Sequence, residues 1–251
     1  MIPRLQPNHV DAAIVAEGDP YLVTARETIP GARGTLFVYL AKPKWPGRYG
    51  GVLVAHHNLG LDPHIEDVAR RLASEGFVAL AADFLSLRGA TPRDEEEAAQ
   101  LVRQSDLDGV TADAQAAVAY LRGRTDVNGK VGAVGFCWGG SIVNRLAAND
   151  ATLNAAIVYY GSPPPLDKVG DIKAPLLLNY ADPRLDKKLG PLLSDYEKAL
   201  QAAGTKYALH VYRRAHHAFN DDRRPRYHHE AAKRAWTRTL AFFKQHLDEA
   251  K

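Results

Sequence analysis

Cysteine is nearly missing from this chain: of 251 residues, Cys137 is the only one. A lone thiol excludes an internal disulfide framework and any zinc site built on cysteines, so it is either free or paired with another chain. Long apolar runs are missing as well, and with them any segment of the length a bilayer demands. Met1 to Val10 has no apolar stretch of signal-peptide length, and Ala12 to Ala16 is too short to serve as one. A cytoplasmic protein that does not engage membranes is the resulting expectation. A strong excess of charge of one sign is missing too. The 32 Lys and Arg stand against 29 Asp and Glu, a formal net charge of +3, and no basic run is long enough to track a nucleic acid. There is no internal repeat and no low-complexity stretch. A chain of this length suits one α/β domain with ample core.

What is present is organised around Lys130 to Arg145, KVGAVGFCWGGSIVNR. The short apolar run Val131, Ala133, Val134 reads as a buried strand that breaks at Gly135, and a helix begins just beyond Cys137. Gly135-Phe136-Cys137-Trp138-Gly139 is therefore a cysteine version of the G-x-S-x-G nucleophile elbow. Glycines two residues to either side suit a turn too sharp for Cβ atoms there. The bend also sets the sulfur at a helix N-terminus, where free N–H groups and the macrodipole favour a thiolate. A buried structural cysteine is the competing reading, and the company this motif keeps along the chain argues against it.

The flanking pattern is that of alternating strands and helices. Strands are expected at Gly34 to Ala41, Gly51 to His56, Phe77 to Ala82, Ala155 to Tyr160, Pro175 to Tyr180 and Lys206 to Tyr212. Helices are expected after the cap pair Asp62-Pro63 as far as Gly76, from Asp94 to Glu97 onward, over Asp108 to Leu121, over Pro191 to Ala203 and over His228 to Leu247. This order predicts a mostly parallel central sheet with helices on both faces. In such sheets the chemistry lies at the carboxyl ends of the strands. Besides the elbow, three polar clusters fall there: His56-His57-Asn58, the Asp182 to Asp186 loop, and His216-His217.

Cys137, Asp182 and His217 follow one another in the order nucleophile, acid, histidine expected of an α/β-hydrolase. His217 is preferred over His216 as general base because Phe219, two residues on, can pack its loop down. Asp182 is preferred as the acid that orients the imidazole, with Asp186 in the same loop as the alternative. The oxyanion hole falls by position to the backbone N–H groups of Trp138 and Asn58.

The elbow GFCWGG, the segment HHNLGLDPHIEDVARRLASEGFVALAADF, HHAFN with DDRRPRY after it, and the closing AWTRTLAFFKQHL resemble the dienelactone hydrolase family of α/β-hydrolases. The similarity runs from about Thr35 to His246. It implies a thiol hydrolase without metal or cofactor that opens an enol lactone, carboxymethylenebutenolide, with Cys137, Asp182 and His217 as the triad. Two positions depart from the family pattern. The loop after the third strand usually carries a glutamate bonded to the resting thiol, and here His57 stands in its place. An imidazole would favour the thiolate where a carboxylate disfavours it. The serine that follows the family's catalytic histidine is here Ala218, which loosens the expectation of a carboxylated substrate. Arg88, in the loop beyond Asp83, is the candidate cation for such a carboxylate.

Other classes are weighed against this one. A general short-chain carboxylesterase of the same fold is the nearest alternative, and a silent binding protein on the scaffold is a further one. The histidines His56, His57, His64, His216, His217, His228 and His229 raise a metal site. Neighbouring histidines on a strand end point opposite ways, which argues against shared ligation.

Overall fold

The computed structural model describes residues 14–248, so the expectation for Met1 to Val10 lies outside the described residues. Eight strands and six helices follow one another as β1 (Leu22–Pro30), β2 (Thr35–Pro43), β3 (Tyr49–Ala55), α1 (Pro63–Ser74), β4 (Phe77–Asp83), α2 (Glu95–Arg103), α3 (Leu107–Gly123), β5 (Val127–Phe136), α4 (Trp138–Asn149), β6 (Ala155–Tyr159), β7 (Leu176–Ala181), α5 (Gly190–Ala202), β8 (Tyr207–Tyr212) and α6 (His229–Leu247). The strands form one sheet in the order β1-β2-β4-β3-β5-β6-β7-β8. β2 runs antiparallel to both neighbours, and every pair from β4 through β8 is parallel. The α/β-hydrolase fold expected from the sequence is the fold observed.

Local chemistry explains the elements. The Asp62 carboxylate accepts the Ile65 N–H at 3.0 Å with Pro63 in the first turn of α1, and the chain leaves that helix through Gly76 at φ +94°. Asp94 caps α2 in the same way, and Glu95, Glu96 and Glu97 fill its positive end. β4 is buried at every position, as are six of the seven residues of β3, in keeping with near-continuous apolar runs covered on both faces.

β1 is the one strand that the sequence pattern does not announce. Only Leu22 and Ile29 of its nine residues are buried, because it is an antiparallel edge strand with charged side chains turned to solvent. Among the described residues no helix is long and apolar enough to cross a membrane.

Register is what assembles the site. Ala55 pairs with Gly135, Phe136 with Tyr159, Tyr159 with Asn179 and Ala181 with Tyr212. The carboxyl ends of β3, β5, β6, β7 and β8 therefore finish level at one edge of the sheet. The residues that follow them, His56 to Asn58, Cys137, Tyr160, Asp182 and the Arg213 to His217 loop, rise side by side.

Candidate active site

Cys137 sits between β5 and α4 with φ +54° and ψ −114°, a conformation that L-residues adopt only under constraint. The constraint is close packing on both sides. A Cβ on Gly135 would lie 2.1 Å from the Gly139 carbonyl oxygen, and one on Gly139 would lie 2.3 Å from the carbonyl oxygens of Ala55 and His56. Only glycine fits at either position, so the elbow is pressed against the end of β3.

His217 lies in the loop beyond β8 and its Nε2 is 3.0 Å from Cys137 Sγ. Phe219 is wholly buried against Tyr160, Tyr212 and Tyr159, with ring centroids at 5.2, 5.0 and 6.2 Å, and so pins that loop as the sequence suggests. His216 is exposed.

The acid facing His217 differs from the one expected. Asp186 Oδ2 lies 2.8 Å from His217 Nδ1, whereas Asp182 turns to other partners. The Asp182 carboxylate accepts the Arg184 N–H and guanidinium and the Arg214 N–H, at 2.6 to 3.1 Å. The Leu185 and Asp186 N–H groups bond the Asp182 carbonyl at 2.9 Å, so a helical turn starts at Asp182. Asp182 and Pro183 cap that turn, and Asp186, one turn later, projects toward the imidazole.

Protonation follows from these partners. Burial works to depress the His217 ring, but the hydrogen bonds with Asp186 and Cys137 outweigh it and push the imidazole up to about 9. Burial works to raise the Asp186 carboxyl, yet its bonds with His217 and the Leu189 and Lys188 N–H groups hold it below the usual carboxylate range. Asp182 is lowered as well, first by the Arg184 guanidinium and then by the Arg214 N–H.

Cys137 and His217 open into a cleft of about 360 Å³ lined also by His57, Asn58, His64, Tyr160, Ala218 and Arg226. The Trp138 N–H belongs to the first residue of α4 and is among the four that a helix leaves without an internal partner. The Asn58 N–H has no acceptor among the described residues. Both expected oxyanion donors are thus free.

His57 lines the cleft but is held by Asp62, its Nε2 lying 3.3 Å from Asp62 Oδ2 while its Nδ1 accepts the Leu59 N–H at 3.4 Å. Arg88 does not reach the site. It ends the 3₁₀ turn Ser86–Arg88, is exposed, and is not among the residues that line the cleft. The arginines that line the cleft are Arg224 and Arg226, from the stretch DDRRPRY. Arg224 forms a two-pronged pair with Glu95 at 2.7 and 3.0 Å, and Arg226 has no acidic partner among the described residues. No sequence signal separates these two, since both sit in one irregular segment.

Some of the histidines have partners within the protein. His228 accepts the Ala231 N–H as the cap of α6, and His56 is buried under Trp138. His64, Asp221 and Asp222 do converge, their ligand-type atoms all within 4.8 Å of one another. Their charges are already matched inside the protein, Asp222 by Arg71 at 2.6 Å and Asp221 by Arg224 at 3.6 Å.

Fold and geometry together define an α/β-hydrolase fold with Cys137 on the strand-to-helix turn beside His217. The family model described as "Dienelactone hydrolase family" matches residues 36–247, and the chain belongs to that family. It is a hydrolase of the carboxylic ester and lactone class. A protein of Escherichia coli O157:H7 named "Putative carboxymethylenebutenolidase" is 34% identical over 94% of this chain and 92% of its own length. One from Bradyrhizobium sp named "Probable 2-oxo-3-(5-oxofuran-2-ylidene)propanoate lactonase" is 35% identical over 83% of this chain and 89% of its own. Among solved structures, a "Putative Dienelactone Hydrolase from Klebsiella pneumoniae subsp. pneumoniae MGH 78578" superposes with a TM-score of 0.81 at 31% identity, covering 89% of this chain and 99% of that one.

Proposed function

We propose that the protein opens enol lactones of the carboxymethylenebutenolide type by a Cys137-His217-Asp186 triad. The observation that carries the reading is the unbroken line Cys137 Sγ, His217 Nε2 at 3.0 Å, and His217 Nδ1 to Asp186 Oδ2 at 2.8 Å.

The steps follow from that line. His217 holds the thiol proton at Nε2 while the sulfur adds to the lactone carbonyl carbon. The Asn58 and Trp138 N–H groups receive the negative oxygen of the tetrahedral adduct. Collapse breaks the ring C–O bond, and the enol oxygen leaves with the proton from Nε2, which leaves a thioester on Cys137. Water then adds to the thioester as His217 takes its proton, and the expelled thiolate recovers its imidazolium partner. Asp186 keeps Nδ1–H oriented and balances the positive ring throughout.

In this reading Arg226 provides the cation for an anionic substituent on the substrate, since Arg224 is neutralised by Glu95. Ala218 offers no hydroxyl beside His217 to share that task. The deciding experiment is hydrolysis of a dienelactone and of p-nitrophenyl acetate by the wild type and by Cys137→Ala. Loss of both activities supports the thiol triad, and the ratio of the wild-type rates separates a lactonase from a general short-chain esterase. Activity surviving in Cys137→Ala refutes the reading.

A further inference from the structure

His56 is fully buried and yet every polar atom of its ring is used. Nδ1 lies 2.7 Å from the carbonyl oxygen of His57, and Nε2 lies 3.2 Å from the backbone N of Phe84. A carbonyl only accepts and a backbone N–H only donates, so the two contacts fix the neutral tautomer that carries its proton on Nδ1. Burial acts in the same direction by opposing a charged ring.

The accepting carbonyl belongs to the peptide that joins His57 to Asn58. That peptide is planar and trans, so its carbonyl and the Asn58 N–H point in opposite directions. A hydrogen bond that draws the oxygen inward to His56 therefore aims the Asn58 N–H away from the interior, toward the cleft that Asn58 lines. Gly60 N–H reaches the same oxygen only at 3.3 Å, which leaves the imidazole as the shorter contact.

The same ring stacks on the indole of Trp138, with centroids 5.1 Å apart and planes within 18°. Trp138 carries the second free N–H. The Phe84 contact anchors the imidazole to the end of β4, a strand that supplies no group to the triad. One side chain thus bonds the peptide that carries the Asn58 N–H and stacks on Trp138, and its remaining contact is with Phe84.

We propose that His56 is the positioning residue of the oxyanion hole, holding the His57–Asn58 peptide and Trp138 in fixed relation before substrate arrives. The inference rests on the thiol-hydrolase reading above and adds to it the group that sets where the adduct's oxygen is bound.

Two substitutions separate this role from packing. His56→Asn retains an N–H near the place of Nδ1, and His56→Gln retains an acceptor near the place of Nε2 but loses the donor to the His57 carbonyl. Removing an oxyanion donor lowers kcat by about 100- to 1000-fold in hydrolases, and a misaimed donor is expected to cost about 10- to 100-fold. For p-nitrophenyl acetate that loss should appear in the kcat of His56→Gln at nearly unchanged KM, while His56→Asn stays within about five-fold of wild type. Alkylation of Cys137 by iodoacetamide builds no oxyanion, so its rate should stay within about two-fold in both variants.

Equal losses in the two variants, or alkylation falling in step with hydrolysis, would overturn the inference. A check without substitution is the ¹H–¹⁵N correlation spectrum of wild-type His56, which should show a protonated, slowly exchanging Nδ1; an Nε2–H tautomer overturns the proposal even if a variant fails to fold. Cys137→Ala runs alongside. Hydrolysis surviving there refutes the thiol reading itself, whereas hydrolysis lost there but equal to wild type in His56→Gln refutes only the role of His56.

Discussion

His217 Nδ1 is 2.8 Å from Asp186, while Asp182, one helical turn earlier, binds Arg184 and the Arg214 N–H. The two acids therefore have separable consequences. Asp186→Asn removes the charge that holds the imidazolium, and kcat/KM on an activated ester is expected to fall about 10²- to 10⁴-fold. Asp182→Asn loosens a cap in the same loop and should cost less than about 10-fold. Steady-state kinetics of the two purified variants check this, and the reverse ranking would restore Asp182 to the triad.

A pH profile follows from the raised imidazole. His217 keeps its proton until about pH 9, and the leaving oxygen needs that proton. The acylation rate should thus hold through neutral pH and decline on the alkaline side with a midpoint near 9. Asp186 is one of the groups that raise the ring, so in Asp186→Asn the alkaline limb should move to lower pH. Presteady-state acylation by phenyl acetate, whose leaving oxygen needs the proton that p-nitrophenolate does not, followed between about pH 6 and 10.5, is the measurement.

Much of this was legible in the chain itself, and the failures have physical reasons. The elbow could be read because a strand, a sharp turn and a helix leave a joint signature in apolar run and flanking glycine. β1 could not, since an edge strand with two buried residues in nine carries almost no apolar alternation. The misassigned acid is the instructive case. Asp62-Pro63 reads correctly as a helix cap, and Asp182-Pro183 is the same signal at the start of another turn. An aspartate occupied by capping is a poor partner for a distant imidazole, and the next acid one turn on takes that place. Arg88 and Arg226 were indistinguishable in sequence because which irregular segment folds over the cleft depends on tertiary packing.

His57 gives a third test. Its ring is tied to Asp62 beside the cleft, where the family pattern carries a glutamate. His57→Glu would set a carboxylate near Cys137 and next to Asp62, and a negative neighbour disfavours a thiolate. Alkylation of Cys137 near neutral pH should slow by about three- to ten-fold in that variant, with the loss shrinking as pH rises. Superimposable alkylation profiles would show that position 57 has no bearing on the thiol.

Arg226 and Arg88 are a matched pair for substrate recognition. If Arg226 meets an anionic substituent, Arg226→Gln should raise KM for a carboxylated lactone about 10-fold and leave hydrolysis of uncharged p-nitrophenyl acetate alone. Arg88→Gln, on an exposed turn away from the cleft, should change neither. An equal effect on both substrates in Arg226→Gln would point to a loop disturbance instead of charge recognition.

Asp62 joins stability to the site, because one carboxylate caps α1 and faces His57. Burial works to raise its carboxyl, but the nearby His57 ring and the Ile65 N–H lower it to about 2 from an ordinary 3.8. A group depressed on folding stabilises fully above its unfolded value, and that stabilisation is lost as pH falls through the folded value. Asp62→Ala should therefore cost about 1 kcal/mol or somewhat more at pH 7 from the lost cap. The gap between variant and wild type should narrow between pH 4 and 2, the window set by those two values. Asp62→Asn keeps an oxygen for the Ile65 N–H and gives up the charge, so at pH 7 it should recover the cap's share of the loss but not the charge's, and it should show little of the acid dependence. Urea unfolding of the three proteins at pH 7 and pH 3, the latter inside the window, separates the cap from the charge. A constant gap across that range would show that the carboxylate acts through the cap alone, with no contribution from His57.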